Sequence, residues 1–410
     1  MVTGAGLLIA VIGLGTRYSF GVFFKSLENE FGLTRGATSG VFSIYMLLCC
    51  VFAVLGGRAL DKYGPKIIVF LMGSFTGLSL LLTSQINSSW QLFISYGLLL
   101  SLGTGAIFTV VNSTASRWFE KKRGFVLGIT TSGGGLGAIV MAPFATYLVS
   151  NFGWRTAFIV MGLVAWLVIA SMSLILKKDP SDLGLLPDGE KSEAAQPGPQ
   201  NRETKDKLAG PSLLEASRTG SFWFLGLVWV FLSLDVHLVF VHVVPYAVDM
   251  GNSLMDAAII LTLIGATTIP GRLVVGRASD TIGRKAPAIA CALLQVGALL
   301  WLMWARELSM LYAFAIAFGF LWGGFGVLTT ALIGDVFGVR SIGAIMGIMS
   351  AGWALGAASG PAIGGYVFDV SGTYFMAFAA GAGAILFAAL LVALVSIPSA
   401  SPHGRKTPWD

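Results

Sequence analysis

Residues 57–66 read GRALDKYGPK and residues 276–285 read GRASDTIGRK, and six of the ten positions agree at an offset of 219. The same offset superposes Gly124, Gly128, Gly133, Leu136, Gly137 and Ala138 on Gly343, Gly347, Gly352, Leu355, Gly356 and Ala357. Two separate segments sharing one offset indicate an internal duplication. Each ten-residue motif suits a tight connection between helices, where Gly64 and Gly283 are free to take positive φ. Asp61 and Asp280 suit hydrogen bonds from a helix N-terminus and pairing with cations such as Arg58 and Arg277. Such contacts would latch one conformation. The rival reading, a solvated loop of sorting charges, loses weight because the motif occurs twice.

Around these motifs the chain is apolar. Of 410 residues, 55% are hydrophobic and 11% charged, against about 25% charged in soluble domains. Stretches of roughly 20 apolar residues recur from end to end, each long enough to cross the hydrocarbon core as a helix. The shorter alternating segments of a membrane β-barrel are absent. The spacing predicts an all-α membrane protein with spans at 4–24, 38–57, 67–84, 90–115, 124–149, 154–176, 221–248, 254–275, 287–305, 309–333, 341–366 and 373–397. The first span has no basic leader or small-residue cleavage site, so it reads as helix 1 and not as a signal peptide.

Charge fixes the expected orientation, since Lys and Arg concentrate on the cytoplasmic side. With both termini inside, cytoplasmic segments hold 20 of 26 Lys and Arg, including Lys62, Lys66, Arg117, Lys121, Lys122, Arg123, Arg284 and Lys285. Outer loops hold Lys25, Arg35, Arg155 and Arg306, and Arg17 and Arg272 fall inside spans. The net charge of +6 is therefore a topology signal and not a nucleic-acid footprint. Residues 179–217 are polar and proline-bearing, without apolar periodicity. They read as a cytoplasmic linker, with a short amphipathic helix near Leu213–Ser217, between six-helix bundles at 1–178 and 218–410. The repeats start on the same side of the membrane, which places a substrate site between the bundles near the midplane.

Two motifs invite over-reading. Gly133–Gly137 follows no strand and lies in an apolar span, so it reads as close helix packing and not as a phosphate loop. Cys49, Cys50 and Cys291 all lie in spans and read as small buried hydrophobes, with no metal spacing.

The intramembrane ionisable set is Arg17, Asp235, His237, His242 and Arg272. A charge at the bilayer centre costs about 2.5–3.5 kcal/mol on insertion scales and faces a cavity or a partner. Arg272 follows Pro270, and its planar fork matches a carboxylate. Asp235, His242 and Asp249 are seven apart and share a helix face, while His237 points roughly opposite Asp235 and reads as a core histidine. Asp235 and His242, about 10 Å apart along the axis, are the candidate proton carriers. Histidine titrates near neutral pH, and desolvation disfavours the charged form of a buried carboxylate. Tyr18, Phe20, Trp322 and Trp353 are candidates to shape the cavity. Asn112 suits either a substrate contact or a helix–helix hydrogen bond.

The duplicated motifs resemble the signature loop of the major facilitator superfamily, and the likeness covers essentially the whole chain. GTRYSFGVFFKSLENEFG (15–32) and WFEKKRGFVLGITTSGGGLG (118–137) resemble the first- and fifth-helix signatures of the monocarboxylate transporters and the related oxalate–formate exchangers. The resemblance implies an essential arginine on the eighth helix, the place of Arg272. The exchangers add a lysine on helix 11; here Gly356 stands at that position, after Trp353. The animal transporters carry an aspartate one turn before the arginine and a lysine in helix 1. Here Thr268 and Tyr18 stand there, with Arg17 one position away.

The expectation is thus a protein similar to a bacterial lactate–proton symporter. It would move a small monocarboxylate with a proton by alternating access across the cell inner membrane, as a monomer. No cofactor, metal or nucleic acid enters this reading, and no nucleophile–base pair suggests an enzyme. The alternatives are a proton-independent carboxylate exchanger and a transporter-like carboxylate receptor signalling through the linker.

Overall fold

A computed structural model of the chain describes residues 2–119, 123–177, 180, 210–338 and 341–396, with their side chains except at 123–125. Lys121, Lys122 and most of the linker, residues 181–209, lie outside the described residues. Every described element is helical, as apolar surroundings require of a backbone that must satisfy its own polar groups. The order is α1 (Val2–Tyr18), α2 (Phe20–Phe31), α3 (Arg35–Ser84), α4 (Ser89–Leu92), a π-helical stretch (Phe93–Leu99), α5 (Leu100–Thr104), α6 (Ile107–Trp118) and α7 (Arg123–Ile175). After the linker come α8 (Leu213–Ser217), α9 (Gly220–Asp249), α10 (Leu254–Ile282), α11 (Lys285–Trp304), α12 (Leu308–Phe337), α13 (Ile342–Ser371) and α14 (Phe375–Leu394).

Among the described residues, ten helical stretches are long and apolar enough to cross a membrane. Two of them, Arg35–Ser84 and Val126–Ile175, run 50 residues. An unbroken helix of that length would extend about 75 Å, far beyond a hydrocarbon core of about 30 Å. Each is interrupted once. Gly64 (φ 76°, ψ 167°) and Gly153 (φ 80°, ψ 162°) leave helical geometry in a region open essentially to glycine alone. Gly283 repeats the conformation at φ 82°, ψ 163°, so both copies of the opening motif turn the chain in the same way. The short helix Leu213–Ser217 stands where the sequence places it, closed by a reciprocal Ser212–Glu215 capping box.

Two local distortions fall beside the centre of the molecule. Between α1 and α2, Thr16 and Ser19 turn their hydroxyls onto the carbonyls of Ile12 and Gly15, each at 2.8 Å. Such back-bonding bends helices, and it does so next to Arg17 and Tyr18. In the π-helical stretch, Ser79 donates to the Ser95 carbonyl at 2.7 Å and Thr83 to its hydroxyl at 3.0 Å. Hydroxyls of α3 thereby hold the widened turn.

The repeat extends into the packing. A Cβ added at Gly137 would meet Val11 O at 2.6 Å and Gly15 N at 2.7 Å. At Gly356 it would meet Val230 O and, at 2.8 Å, Leu234 N. Each contact on α1 is matched by one on α9 at the same offset of 219. α7 rests on α1, and α13 on α9, through surfaces with no room for a side chain. Gly135 and Gly265 bring α7 and α10 together across the two halves of the chain, with backbone carbonyls 3.0 and 2.7 Å from the opposing Cβ positions.

Of the two ends, one is closed by contacts between the halves. Asp369 of α13 accepts from the backbone N–H groups of Arg35 (2.9 Å) and Gly36 (2.8 Å) at the start of α3, an anion seated on a helix N-terminus. Lys25 pairs with Asp249 at 2.9 Å, and Arg35 pairs with Asp249 and, at 3.2 Å, with Glu28. The Arg35 guanidinium also lies over the Phe368 ring at 3.7 Å. At the opposite end, Cβ positions at Gly128, Gly343 and Gly347 have no neighbouring atom within 4 Å. The ion pairs there, Arg117–Asp61 (2.6 Å) and Arg284–Asp335 (2.8 Å), each stay within one half.

The expected latch residues sit at that splayed end. Arg58, Arg277 and Asp280 are exposed and make no ion pair among the described residues, and Asp61 faces Arg117 of its own half. In this conformation the two halves are held instead by Lys25, Arg35, Asp249 and Asp369.

Candidate functional site

Where the halves approach mid-chain, the helices present cations, aromatic rings and little else. Arg272 reaches from α10 towards α7 of the other half. Its guanidinium makes one long hydrogen bond, Nη1 to Thr131 O at 3.4 Å, and lies 6.0 Å from the Trp322 ring. Most of its donors therefore remain available. Trp322 packs on Phe240 (5.4 Å) and Phe240 on Tyr18 (4.6 Å), so a row of rings runs from Arg272 to α1.

Beside Tyr18, Arg17 is buried. Its Nε donates to the Tyr45 hydroxyl at 3.1 Å and its Nη2 to Cys49 Sγ at 3.9 Å. Tyr45 is steadied in turn by Thr104 at 2.7 Å. Neither Arg17 nor Arg272 has a carboxylate partner among the described residues. One buried and one half-buried guanidinium group without counter-ions favour an anion. Cys49 is accordingly more than the small hydrophobe expected of it, since it accepts from Arg17.

The row continues on α9. His237 is buried between Phe42 of α3 (6.1 Å) and Trp353 of α13 (5.8 Å), and Trp353 also faces Trp229 (5.9 Å). His237 Nδ1 contacts Ser233 O at 2.9 Å and Ser233 Oγ at 3.3 Å. The Ser233 hydroxyl itself donates to Trp353 O. His237 Nε2 is buried with no partner.

The sequence-derived candidates divide. Arg272, Tyr18, Trp322 and Trp353 come together around this central row. Phe20 does not: it points into the first half, against Phe24, Phe42 and Tyr96. Successive positions on a helix turn by about 100°, so two residues after Tyr18 the side chain leaves the interface. Asn112 accepts from Thr130 at 3.2 Å, the helix–helix bond that was one of its two readings. Asp235 faces away from the rings. Its Oδ2 accepts from Gln295 of α11 at 2.7 Å, its Oδ1 lies against Gly381 of α14, and both Oδ1 and Gln295 Oε1 lack partners.

His242 lies nearer the closed end. Its Nε2 is 2.9 Å from Pro361 O and 3.3 Å from Ser39 Oγ, and its Nδ1 is 3.1 Å from the Tyr374 hydroxyl. A carbonyl on Nε2 and a hydroxyl on Nδ1 is the pattern of a neutral imidazole with Nε2–H donating and Nδ1 accepting. The ring also meets Phe24 at 5.4 Å, so it touches both halves. Sequence reasoning left Arg17 outside its candidate site and gave His237 a core role; here Arg17 lies beside Tyr18. The signal for Arg17 was its charge inside a span. Nothing in the sequence marks the free nitrogen of His237.

Comparison with known proteins places this geometry. The family model described as Major Facilitator Superfamily matches residues 6–309 and 243–410. The chain is similar to monocarboxylate transporter 12 of Xenopus laevis, 25% identical over 386 residues, covering 92% of this chain and 84% of that protein. It is also similar to monocarboxylate transporter 13 of Rattus norvegicus, 27% identical over 409 residues and covering 97% and 88%. Among solved structures, a bacterial homolog of the human lysosomal transporter Spinster, crystallised in an inward-facing and unoccupied conformation, matches with a TM-score of 0.74. The identity is 16%, over 96% of this chain and 94% of that one.

Proposed function

The chain belongs to the major facilitator superfamily, a family of multi-pass membrane transporters and not of enzymes, and from that premise we propose that it moves a small monocarboxylate such as L-lactate or pyruvate together with a proton. The observation that carries the reading is Arg272. It is a cation at the junction of the halves with free donors, facing aromatic rings and no carboxylate among the described residues. The similarity to monocarboxylate transporters supports the same substrate class.

In this reading each helix broken at Gly64 or Gly153 counts as two spans, giving twelve in two bundles flanking the 179–217 linker. Both termini lie on the cytoplasmic side of the inner membrane, and the protein works as a monomer. The closed end then faces outward and the splayed end inward. Substrate exchanges at Arg272 as the halves rock, with Tyr18, Trp322 and Trp353 shaping the chamber. The latch of Arg58, Asp61, Arg277 and Asp280 engages when the inner end closes.

The proton rides on His242 or Asp235. His242 is the better placed, because its hydrogen bonds span the closing interface; a proton on Nδ1 would turn the Tyr374 hydroxyl from donor to acceptor and put a positive charge at that end. Asp235 has a different argument: a proton there supplies the donor that Asp235 Oδ1 and Gln295 Oε1 both lack.

A second reading, a proton-independent dicarboxylate exchanger, is favoured by one observation. Arg17 adds a second buried cation. Against it, two of the Arg17 donors are already engaged by Tyr45 and Cys49, and position 356 has no room for the lysine that exchangers carry.

Vesicles reconstituted with the protein and given labelled lactate, pyruvate or oxalate under an acid-outside pulse test the choice. Symport predicts accumulation of lactate or pyruvate, its loss in Arg272→Ala, and loss of the pH drive in His242→Ala or Asp235→Asn. Oxalate counterflow indifferent to pH would favour the exchanger, and full lactate uptake by Arg272→Ala would remove the site assignment.

A further inference from the structure

The unused nitrogen of His237 points to a finer specificity, resting on the carboxylate reading above. The tautomer follows from its neighbours. Ser233 O is a carbonyl and only accepts, so Nδ1 at 2.9 Å carries the hydrogen and donates to it. The Ser233 hydroxyl spends its own hydrogen on Trp353 O, so it too can only accept from Nδ1. Nε2 is then either a bare lone pair or the site of a second proton. A second proton would make a buried imidazolium, and no carboxylate pairs with it among the described residues. That costs far more than a missing hydrogen bond. The neutral ring, with its lone pair at Nε2, is the consistent state.

This lone pair is buried and unpartnered between Phe42 of one half and Trp353 of the other. It lies on α9 one turn before Phe240, which packs on both Tyr18 and Trp322. The charged groups near it, Arg17 and Arg272, only donate, and the acceptors beside them, Tyr45, Cys49 and Thr131 O, are already engaged by those cations. Two cationic donors and a buried acceptor still without a partner are together complementary to a carboxylate that itself carries a hydrogen-bond donor.

We propose that His237 is a specificity-determining residue whose Nε2 accepts a hydrogen bond from the substrate, and that the preferred substrates are hydroxylated monocarboxylates, with 2-oxo acids disfavoured. A 2-oxo acid offers only acceptors and would set its carbonyl against the lone pair. Sites built around one buried polar group reject the analogue that cannot pair with it, because that group is left desolvated and unmet.

The test compares initial uptake of labelled L-lactate and pyruvate, the two acids differing at one carbon, in vesicles containing wild type, His237→Phe or His237→Gln. Phenylalanine keeps a flat ring and removes the acceptor. Glutamine offers a carbonyl oxygen near the place of Nε2. The readout is the ratio of the two kcat/KM values within each preparation, which does not depend on how much protein folds. Wild type is expected to favour lactate by roughly tenfold, the scale of one hydrogen bond to a buried group. His237→Phe should bring the ratio to about one, chiefly by raising KM for lactate, and His237→Gln should recover part of the preference. Equal handling of the two acids by wild type, or a parallel fall for both in His237→Phe, overturns the role of His237 while leaving carboxylate transport standing. If neither acid enters wild-type vesicles, the carboxylate reading itself falls, and this inference with it.

Discussion

The two ends of this protein use their charges differently. At one end, Lys25, Arg35, Asp249 and Asp369 tie the halves to each other, and Asp369 sits on the N-terminus of α3. At the other, Asp61 pairs with Arg117 and Asp335 with Arg284, each within its own half. A charge contributes to a conformational equilibrium only where its contacts differ between the states. By that criterion the first end holds the state seen here, and in the reading proposed above the second end engages in the other.

The largest effect on this asymmetry is expected from Arg35→Ala. That change removes, across the halves, the pair with Asp249 and the stacking on Phe368, together worth about 2 kcal/mol. Spin labels at Ser26 and Asn252, measured by pulsed dipolar spectroscopy, should then show the ratio of closed to open ends falling roughly thirtyfold. An unchanged distance distribution would mean that Arg35 only decorates an end closed by other forces.

Asp369→Ala comes next. It frees two backbone N–H groups at a helix start, about 1.4 kcal/mol for a partly exposed carboxylate, and the same labels should report a shift of roughly tenfold. Asp369→Asn separates charge from hydrogen bonding, because its amide oxygen keeps an acceptor without the anion. If the asparagine behaves like alanine, the helix-terminus electrostatics carry the contact.

The smallest effect is expected from Asp61→Asn, and in the opposite direction. Its pair with Arg117 is exposed and worth about 0.5 kcal/mol, but the latch it would join belongs to the state with the inner end closed. Loss of the carboxylate should favour the present conformation by roughly twofold, read from labels at Lys62 and Thr281. No shift reduces Arg58, Asp61, Arg277 and Asp280 to charges that orient the chain, and a large shift towards the other state contradicts the comparison.

Much of this architecture is legible in the sequence, and the reason is glycine. Gly64 and Gly283 mark the turns because they take a positive φ, and Gly137 and Gly356 mark the tight helix contacts because they leave no room for a Cβ. Their common offset exposes the repeat without any knowledge of packing. Arg272 was legible for a similar reason, as a charge where apolar residues belong. The closing contacts were not. Arg35 and Asp369 are 334 residues apart and each reads as an ordinary loop charge; only the docking of the halves makes them partners. Phe20 was misplaced because composition cannot say which side of a bent helix faces the interface. The free nitrogen of His237 was not legible, because which ring nitrogen its own backbone engages shows only in the fold.

Gly356 carries a consequence for how this transporter can change over generations. Any side chain there would collide with the backbone of α9 at Val230 and Leu234, so a single substitution cannot install a cation at that point of α13. In the reading proposed above, the choice of anion is then free to drift chiefly through α1, α9, α10 and α12, where Arg17, His237, Arg272 and Trp322 stand. A lineage that came to prefer dianions would have to recruit its second charge from those helices, and Arg17 is already in place.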